Sequence, residues 1–517
     1  MTETRKITRA AGKIGMATLT SRILGLIRDM VVARLGAGLA TDAFYVAYRI
    51  PNLLRELLAE GSMSAGFIPV FTEYWTTRSK EEAWKLACKV FTLLFGILLT
   101  VCLLGILLAP WIVRLIAPGF TNEGGKLSLT IDLTRIMFPY LLFIGLAALT
   151  MGVLNSIRAF GIPALAPAVD NFVIILSIFI FSWFLNDPIF GIAIAVTIGG
   201  LVQFLFQLPS LFKNGLLFKF NFEVNDPGVK KIFSLILPTL LGLSVAQINL
   251  LVNTLLASTL SEGSVTYLYY GIRLIHFPLG IFAIAVATAI LPSLSTQAAQ
   301  RDMEGLKESF SFGLRLVFFI SFPAMIGLIL LRVPIVQILF QHGDFNFTAT
   351  QGTATAVLYY SMGLWAFAGV RIVIPVFYAL QDTRTPVRIA VISLLSNIVL
   401  SLVLMGPLKH GGLALATSLA SMINLALLIW ILRKRLGNLD GRRILQSHLK
   451  VVLATSGIAL ICYWVNDLGI WLMKGESFEK MFYLAVAIFV SVASYLLFHF
   501  LMKGEELRFI WKSLKKE

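Results

Sequence analysis

Stretches of apolar residues, separated by short polar stretches, run along the whole chain. Most contain 20 residues or more, and an α-helix needs about 20 apolar residues to cross the hydrocarbon core of a bilayer. The pattern therefore predicts a polytopic all-α membrane protein with no large aqueous domain. The fourteen transmembrane helices that it predicts lie near residues 14–36, 42–70, 86–110, 129–155, 163–185, 189–212, 232–258, 265–293, 309–331, 352–378, 386–406, 411–432, 449–466 and 480–502.

The composition supports this class and excludes several others. Of the 517 residues, 58% are apolar and 14% are charged, whereas soluble domains have about 45–50% and about 25%. Cys88, Cys102 and Cys462 all lie in apolar segments, which excludes a disulfide framework and a thiolate metal site. The five histidines are scattered without metal-binding spacing. We therefore expect no metal and no cofactor.

The positive charges are distributed unevenly between the two sides of the predicted helices. The net charge is +16, with about 27 Lys and Arg residues on the side of the N-terminus and about six on the other. Because cytoplasmic loops are enriched in Lys and Arg, both termini are predicted to face the cytoplasm. Topology accounts for most of the charge, so no nucleic-acid partner is expected. Arg22 interrupts the first apolar stretch and no cleavage site follows it, so this helix is expected to be retained.

Four short motifs recur in the same order along the chain. The recurring pairs, at offsets of 221 to 224 residues, are Pro69 and Pro292, Pro110 and Pro334, Pro163 and Pro386, and Gly191 and Gly412. This recurrence predicts two six-helix lobes in the same orientation, at 1–215 and 216–440, followed by two extra helices and a tail at 441–517. Two such lobes with a binding site between them are typical of transporters.

Ionisable residues lie well inside three of the predicted helices. The first contains Arg22, Arg28 and Asp29, and the eighth contains Arg273. The second contains a polar stripe whose members are Asp42, Tyr45, Arg49, Asn52 and Glu56, widened by Arg55 and Glu60. Each Arg or Asp at the centre of a membrane helix costs about 2.5–3.5 kcal/mol to insert. We therefore expect these side chains to face a hydrated interior and not the lipid.

The sign of the charge that lines this interior indicates the class of substrate. Guanidinium groups form bidentate hydrogen bonds to phosphate and carboxylate, and they stay charged at any cellular pH. An arginine-lined cavity therefore favours a polyanion, in particular a diphosphate. A cation-coupled drug antiporter would need carboxylates and aromatic side chains there instead. An integral-membrane glycosyltransferase or phosphatase would need catalytic groups on a sizeable loop, and the loops here are short.

Several motifs of the chain resemble one known family. The segment from Ser21 to Val70, SRILGLIRDMVVARLGAGLATDAFYVAYRIPNLLRELLAEGSMSAGFIPV, resembles the N-terminal signature of the MurJ (MviN) family, the lipid II flippases of bacterial peptidoglycan synthesis. APGF at 117–120, YYGIRL at 269–274, QDTRTPV at 381–387 and GPLKHGGLALA at 406–416 match it as well. The resemblance implies membership of the multidrug/oligosaccharidyl-lipid/polysaccharide exporter superfamily and alternating access in the bacterial cytoplasmic membrane. It also implies lipid II as the substrate and a groove for its lipid tail beside the last two helices.

The resemblance also implies roles for single residues. The substrate-binding positions of the family fall on Ser21, Arg22, Arg28, Arg55 and Arg273, and the gating or counter-ion positions fall on Asp29, Asp42 and Glu60. The hypothesis is that Arg28, Arg55 and Arg273 hold the diphosphate, and that Asp29 and Asp42 compete for these arginines when the site is empty. Ile272 stands where similar members carry an Asp, so a charge pair is not expected there.

Ion coupling and partners follow less directly from the sequence. Some members use a sodium ion, but the corresponding residues Asn397, Ser401 and Thr417 lack a carboxylate, so no tight sodium site is expected. The membrane potential is the expected driving force. The basic loop at 433–443 and the basic tail are candidate contacts for anionic lipids and for peptidoglycan synthesis enzymes. An exporter of another lipid-linked oligosaccharide is the alternative function, and a multidrug antiporter is a more distant one.

Overall fold

The protein is all-α throughout its described part. The structure, a computed structural model, describes residues 3–57, 63–122, 124–185, 187–216, 219–223, 225–467, 469–472 and 477–514. In these ranges it contains α-helices with a few 3-10 and π-helical turns, and no strand. The contacts divide the chain into two compact units, Met1–Glu262 and Gly263–Glu517. The predicted fold class is confirmed.

The first unit is built from eight helices in its described residues. They are α1 (Glu3–Ala33), α2 (Leu39–Arg55), α3 (Met63–Thr77), α4 (Lys80–Ile116), α5 (Lys126–Ser156), α6 (Gly161–Phe184), α7 (Pro188–Lys213) and α8 (Pro227–Ser258). α5 is the central helix, because 78% of its most apolar stretch is buried and it packs against α2, α4 and α7. α6 packs between α1 and α7, which places α1 at one side of this bundle.

Polar caps determine where several of these helices begin. Ser79 accepts a hydrogen bond from the Glu82 N–H at the start of α4 (3.2 Å). Asp187 and Asp226 cap α7 and α8 in the same way, and each is followed by a proline in the first turn. Such caps satisfy N–H groups that have no partner inside the helix. These three helices therefore begin directly after their capping residues.

The second unit contains the remaining helices. They are α9 (Ser264–Pro278), α10 (Ile284–Ala299), α11 (Met303–Leu330), α12 (Arg332–Phe340), α13 (Phe347–Ser361), α14 (Leu364–Ala379), α15 (Arg384–Leu408), α16 (His410–Leu436), α17 (Gly441–Asn466), α18 (Ser477–Leu501) and α19 (Glu505–Leu514). A π-helical turn at Leu279–Ala283 joins α9 to α10. The core of this unit is formed largely by α11, α14 and α16, with α10 packed against α11 and α14.

Most of the predicted transmembrane helices have a counterpart in the structure. Ten helical segments are long and apolar enough to cross a membrane, and two bent pairs, in α8 and in α13 with α14, bring the number to twelve in the described part of the chain. These twelve correspond one for one to predicted helices 3 to 14. The first two predicted helices correspond to α1, which carries several charges, and to α2 with α3, between which residues 58–62 lie outside the described ranges. The full count of fourteen stays a prediction.

The boundary between the predicted repeats is a separate question. α8 packs against α3 and α4, so the contacts place it in the first unit, whereas the sequence repeat assigns it to the second copy. A duplication is a relation between sequences, and contacts between helices do not decide it. The boundaries at 215/216 and 440/441 therefore stay predictions.

Buried charges hold α19 against other helices of the second unit. The Arg315 Nη1 atom on α11 lies 2.8 Å from carboxylate oxygens of both Glu505 and Glu506. Glu506 also accepts a hydrogen bond from the Ser447 hydroxyl (2.8 Å) and lies 3.3 Å from the His499 Nε2 atom. The side chains of Arg315 and Glu506 are 4% and 2% exposed. The cluster thus connects α11, α17, α18 and α19 through groups that would be costly to bury singly.

The Glu506 carboxylate makes this connection dependent on pH. Burial raises its pKa, but the close approach of the His499 imidazole, the hydrogen bonds from its own backbone and from Ser447, and the Arg315 charge outweigh burial and lower the pKa to about 2. A lowered pKa stabilises the fold above the unfolded value of 4.5, and this stability is lost as the pH falls from about 4.5 to about 2. The shift is worth roughly 3 kcal/mol.

We therefore expect Glu506→Gln to lower the Tm of the purified protein at pH 7. The difference in Tm between wild type and variant is expected to become smaller as the pH falls towards 3. Thermal unfolding between pH 7 and pH 3 measures this. The control is Glu304→Gln, because the Glu304 side chain is 87% exposed. Equal Tm values for wild type and Glu506→Gln at pH 7 would contradict the assigned role.

Candidate functional site

A buried ion pair lies in the C-terminal half of α1. The Arg28 Nη2 and Nε atoms lie 2.7 Å and 3.1 Å from the Asp29 Oδ1 atom. The two side chains are 12% and 3% exposed. A buried guanidinium needs a partner of this kind because desolvation costs several kcal/mol per ion. The structure thus brings together two of the predicted site residues, and α1 carries the counter-ion for its own arginine.

Ser21 and Arg22 lie on the same helix, nearer to its N-terminus. Both are half-buried. The Ser21 carbonyl accepts a hydrogen bond from the Asn171 amide on α6 (3.3 Å), and the same amide bonds to the Pro167 carbonyl (2.9 Å). Asn171 therefore sets the position of α1 on α6 at the level of Ser21.

A second arginine lies in a polar network at the end of α2. The Arg55 Nε–H donates to the Asn52 side-chain oxygen (3.0 Å), and the Asn52 amide donates to Glu56 (3.0 Å). Glu56 also accepts a hydrogen bond from Gln247 of α8 (2.6 Å). Its carboxylate is 4.0 Å from the Arg55 guanidinium. The polar stripe predicted on this helix therefore continues as a network onto α8.

Asp42, at the other end of α2, forms a buried ion pair with a lysine. The Lys126 Nζ atom lies 3.1 Å from the Asp42 Oδ2 atom, and the two side chains are 1% and 2% exposed. The ammonium group also lies 4.3 Å from the centre of the Phe120 ring, a cation–π distance. Lys126 precedes the predicted helix at 129–155, where a loop lysine would be expected to reach water, but its side chain is fully buried. Asp42 is thus paired with Lys126 in this structure, and its predicted competition for the arginines stays a prediction.

This pair is expected to be worth more to stability than to transport. Lys126→Met would leave the Asp42 carboxylate buried without its ammonium partner, which costs about 3–5 kcal/mol. We expect a large loss of Tm for the single variant and recovery of most of it in Lys126→Met/Asp42→Asn. Unfolding curves of the two purified variants measure this. If the double variant were no more stable than the single one, the pair would not be the cause.

Sequence reasoning missed one carboxylate of the first unit. Asp170 on α6 is 8% exposed, and its Oδ1 atom has no hydrogen-bond partner among the described residues. The carboxylate is within electrostatic range of Arg28 and Arg55. It lies against Gly199 of α7, where a side chain would fill the space that the Oδ1 atom occupies. The signal was present in the sequence, because Asp170 is the one ionisable residue of the predicted helix at 163–185.

The remaining predicted residues do not belong to this part of the first unit. Arg273 lies on α9 in the second unit, where its side chain is exposed, as is that of His276 one turn later. Glu60 lies outside the described residues. Nowhere in the described ranges do three His, Cys, Asp or Glu side chains converge as a metal site would require. The expectation of no tight sodium site stays a prediction.

The described residues of the first unit thus form a charged interior. Arg28 and Arg55 come from α1 and α2, and their nearest acidic groups are Asp29, Glu56 and Asp170. An arginine paired with a carboxylate can exchange it for a phosphate, because both anions accept the same forked hydrogen bonds. Paired arginines of this kind are suited to reversible anion binding.

Comparisons with known proteins cover nearly the whole chain. The family model of lipid II flippase MurJ matches residues 31–502. The chain is 39% identical over 506 residues to a probable lipid II flippase MurJ of Vibrio cholerae serotype O1, and the alignment covers 96% of each chain. It is 34% identical over 493 residues to the lipid II flippase MurJ of Burkholderia cenocepacia, which covers 94% of this chain and 96% of the relative.

Solved structures give the same family and a wider fold class. A structure of lipid II flippase MurJ in an inward closed conformation matches with a TM-score of 0.79 and 27% identity, over 95% of this chain and 98% of the other. An inward-facing multidrug resistance MATE family transporter of the MOP superfamily matches with a TM-score of 0.71 and 17% identity, over 81% and 96% of the two chains. At that identity the MATE match concerns the fold alone.

Proposed function

We propose that this chain, which belongs to the lipid II flippase MurJ family, moves lipid II across the bacterial cytoplasmic membrane. Its route, we propose, is lined by arginines. The chain is a multi-pass membrane transporter of lipid II and not an enzyme. The family match across nearly the whole chain carries this function. The arginine-lined route is the part that we add, and the buried Arg28–Asp29 pair supports it.

The diphosphate of lipid II is the group that the arginines would bind. Arg28 and Arg55 provide two guanidinium groups in the first unit, with Arg22 nearby on α1, and Arg273 provides one in the second. Binding would replace Asp29 by a phosphate oxygen at Arg28. Ser21 would contribute a hydroxyl near the sugar or phosphate groups. Alternating access would then expose the same arginines to the opposite side, while the lipid tail stays in the membrane beside α17 and α18.

The direction of transport follows from charge. We place both termini in the cytoplasm, in accordance with the bias of Lys and Arg between the two sides. An anionic head that moves outward across an inside-negative potential gains about 2.3 kcal/mol per charge per 100 mV. The membrane potential would therefore drive net export without a coupled sodium ion.

Reconstituted vesicles test this driving force. The purified chain is reconstituted with lipid II, and a potassium gradient with valinomycin sets a potential of either sign. We expect lipid II to accumulate in the leaflet on the positive side, and to distribute evenly at zero potential. Empty vesicles and vesicles with Arg28→Ala protein are the controls. Equal distribution under both signs of potential would show that the potential is not the driving force.

The alternatives from the sequence have less support. An exporter of another lipid-linked oligosaccharide would need the same arginines, but the relatives that match over the full length are named lipid II flippases. A drug antiporter shares only the fold. We propose that the basic loop at 433–443 contacts anionic lipid headgroups, and that peptidoglycan synthesis enzymes bind on the same cytoplasmic side.

A further inference from the structure

Asp170 is a buried acid that the proposed transport route does not use. It is the one ionisable residue of α6, a helix that packs mainly against α1 and α7. Its side chain is more than nine-tenths buried, and its Oδ1 atom lies against Gly199 of α7 without a hydrogen-bond partner in the described part of the chain. An ionised carboxylate in such surroundings is costly unless positive charge lies near it.

The charges that face Asp170 can be named helix by helix. α1 contributes Arg28, which is paired with Asp29, and α2 contributes Arg55. α5 contributes the buried Tyr140, whose ring contacts Tyr48 of α2 and whose hydroxyl interacts electrostatically with Asp170. α7 has one ionisable residue, a lysine at its last position, far along the helix from Gly199. The two arginines are therefore the positive charges that stabilise the ionised form of Asp170.

These arginines are also the groups that would bind the diphosphate. When they are empty, their charge supports an ionised Asp170. When a diphosphate occupies them, its negative charge cancels that support and repels the carboxylate. Protonation of the unpartnered Oδ1 atom is then favoured, because a buried neutral carboxyl avoids most of the desolvation cost. The two events, anion binding and protonation, are thus thermodynamically linked.

We propose that Asp170 is a proton-binding site linked to the occupancy of Arg28 and Arg55, ionised while they are empty and protonated when they hold the diphosphate. This inference rests on the proposed function and adds a proton to its binding step. The proton comes from hydronium: one O–H bond of hydronium breaks, water leaves, and one O–H bond forms on the carboxylate. No redox partner is involved.

Linkage gives this proposal a measurable sign. If binding takes up a proton, the affinity for lipid II rises as the pH falls, by at most tenfold per pH unit. The affinity becomes independent of pH once Asp170 is protonated in both the empty and the occupied states. The proton uptake on binding lies between zero and one per lipid II and has its maximum within this pH window.

The test measures lipid II binding to the full chain in nanodiscs between pH 5.5 and 8. Isothermal titration calorimetry in two buffers of different ionisation enthalpy gives both the Kd and the number of protons taken up. We expect wild type to bind more tightly at low pH, by about tenfold across the range, with proton uptake. Asp170→Asn is expected to bind with a Kd that does not depend on pH and without uptake. Asp132→Asn, a change at an exposed carboxylate of α5, is expected to behave as wild type.

A second variant keeps the carboxylate and moves it. A Cβ atom at Gly199 would lie 2.5 Å from the Asp170 Oδ1 atom, so Gly199→Ala must displace that oxygen. We expect the pH window of proton uptake to shift in this variant while uptake itself remains. This variant also tests the proposal if Asp170→Asn does not fold.

The outcomes separate this inference from the function on which it rests. If wild type binds lipid II without proton uptake at every pH, or if Asp170→Asn retains wild-type uptake, the proton site is wrong and the flippase assignment stands. If well-folded wild type does not bind lipid II at any pH, the proposed function itself is overturned.

Discussion

Arg28→Ala is expected to abolish the ability of this chain to support growth of cells that lack their own lipid II flippase. The substitution removes the guanidinium that would hold the diphosphate, and hydrogen bonds to charged groups contribute about 1.5–3 kcal/mol each. The affinity for lipid II is therefore expected to fall by at least about 100-fold, and cells that carry the variant at the wild-type protein level are expected not to grow in a complementation assay.

The difficulty with this variant is that it also leaves Asp29 buried without its partner. Arg28→Ala/Asp29→Asn removes that cost and is expected to restore protein level but not growth. Arg135→Ala, at an exposed arginine of α5, is the matched control and is expected to support normal growth. If the double variant supported growth as wild type does, Arg28 would be needed for folding and not for transport.

Arg273→Ala is expected to weaken lipid II binding by roughly 10- to 100-fold, as the loss of one charged contact to a phosphate predicts. Arg273 is exposed on α9, so its removal opens no cavity in the core and we expect the protein to stay folded. The measurement is the Kd of the purified variant for lipid II in nanodiscs. Arg273→Lys keeps the charge but loses the forked geometry, and we expect an intermediate Kd.

Arg388→Ala, at an exposed arginine near the start of α15, controls for a general loss of positive charge in the second unit. We expect it to bind lipid II as wild type does. A Kd for Arg273→Ala equal to that of wild type would remove the second unit from the arginine-lined route.

The transmembrane helices could be predicted because their signal is local. Each predicted helix from the third to the fourteenth needs only a run of apolar residues, and each has a counterpart in the structure. The first two helices are less apolar because they carry charged residues such as Arg28, Asp42 and Arg55. The same charges that weaken the hydropathy signal are the ones that suggested the site, since charge inside a membrane helix is costly unless it is used.

The partners of these charges could not be predicted, because they come from distant parts of the chain. Lys126 lies 84 residues from Asp42, and Glu506 lies 191 residues from Arg315. Sequence position placed Lys126 and Arg315 near the ends of helices, where long side chains commonly reach water. Asp170 could not be predicted for a different reason. A single acid on an otherwise apolar helix forms no sequence pattern, and only the fold shows that Arg28 of α1 and Arg55 of α2 lie near it.

The central claim is that this chain exports lipid II by way of Arg28. The measurement that tests it most directly is the amount of lipid II exposed at the outer leaflet of cells depleted of their own flippase and supplied with this chain or its Arg28→Ala form. We expect wild type to restore exposure and the variant, at equal level in the membrane, to leave it at the depleted value. Equal exposure from both would contradict the arginine route, and no exposure from well-expressed wild type would contradict the assignment of lipid II as its substrate.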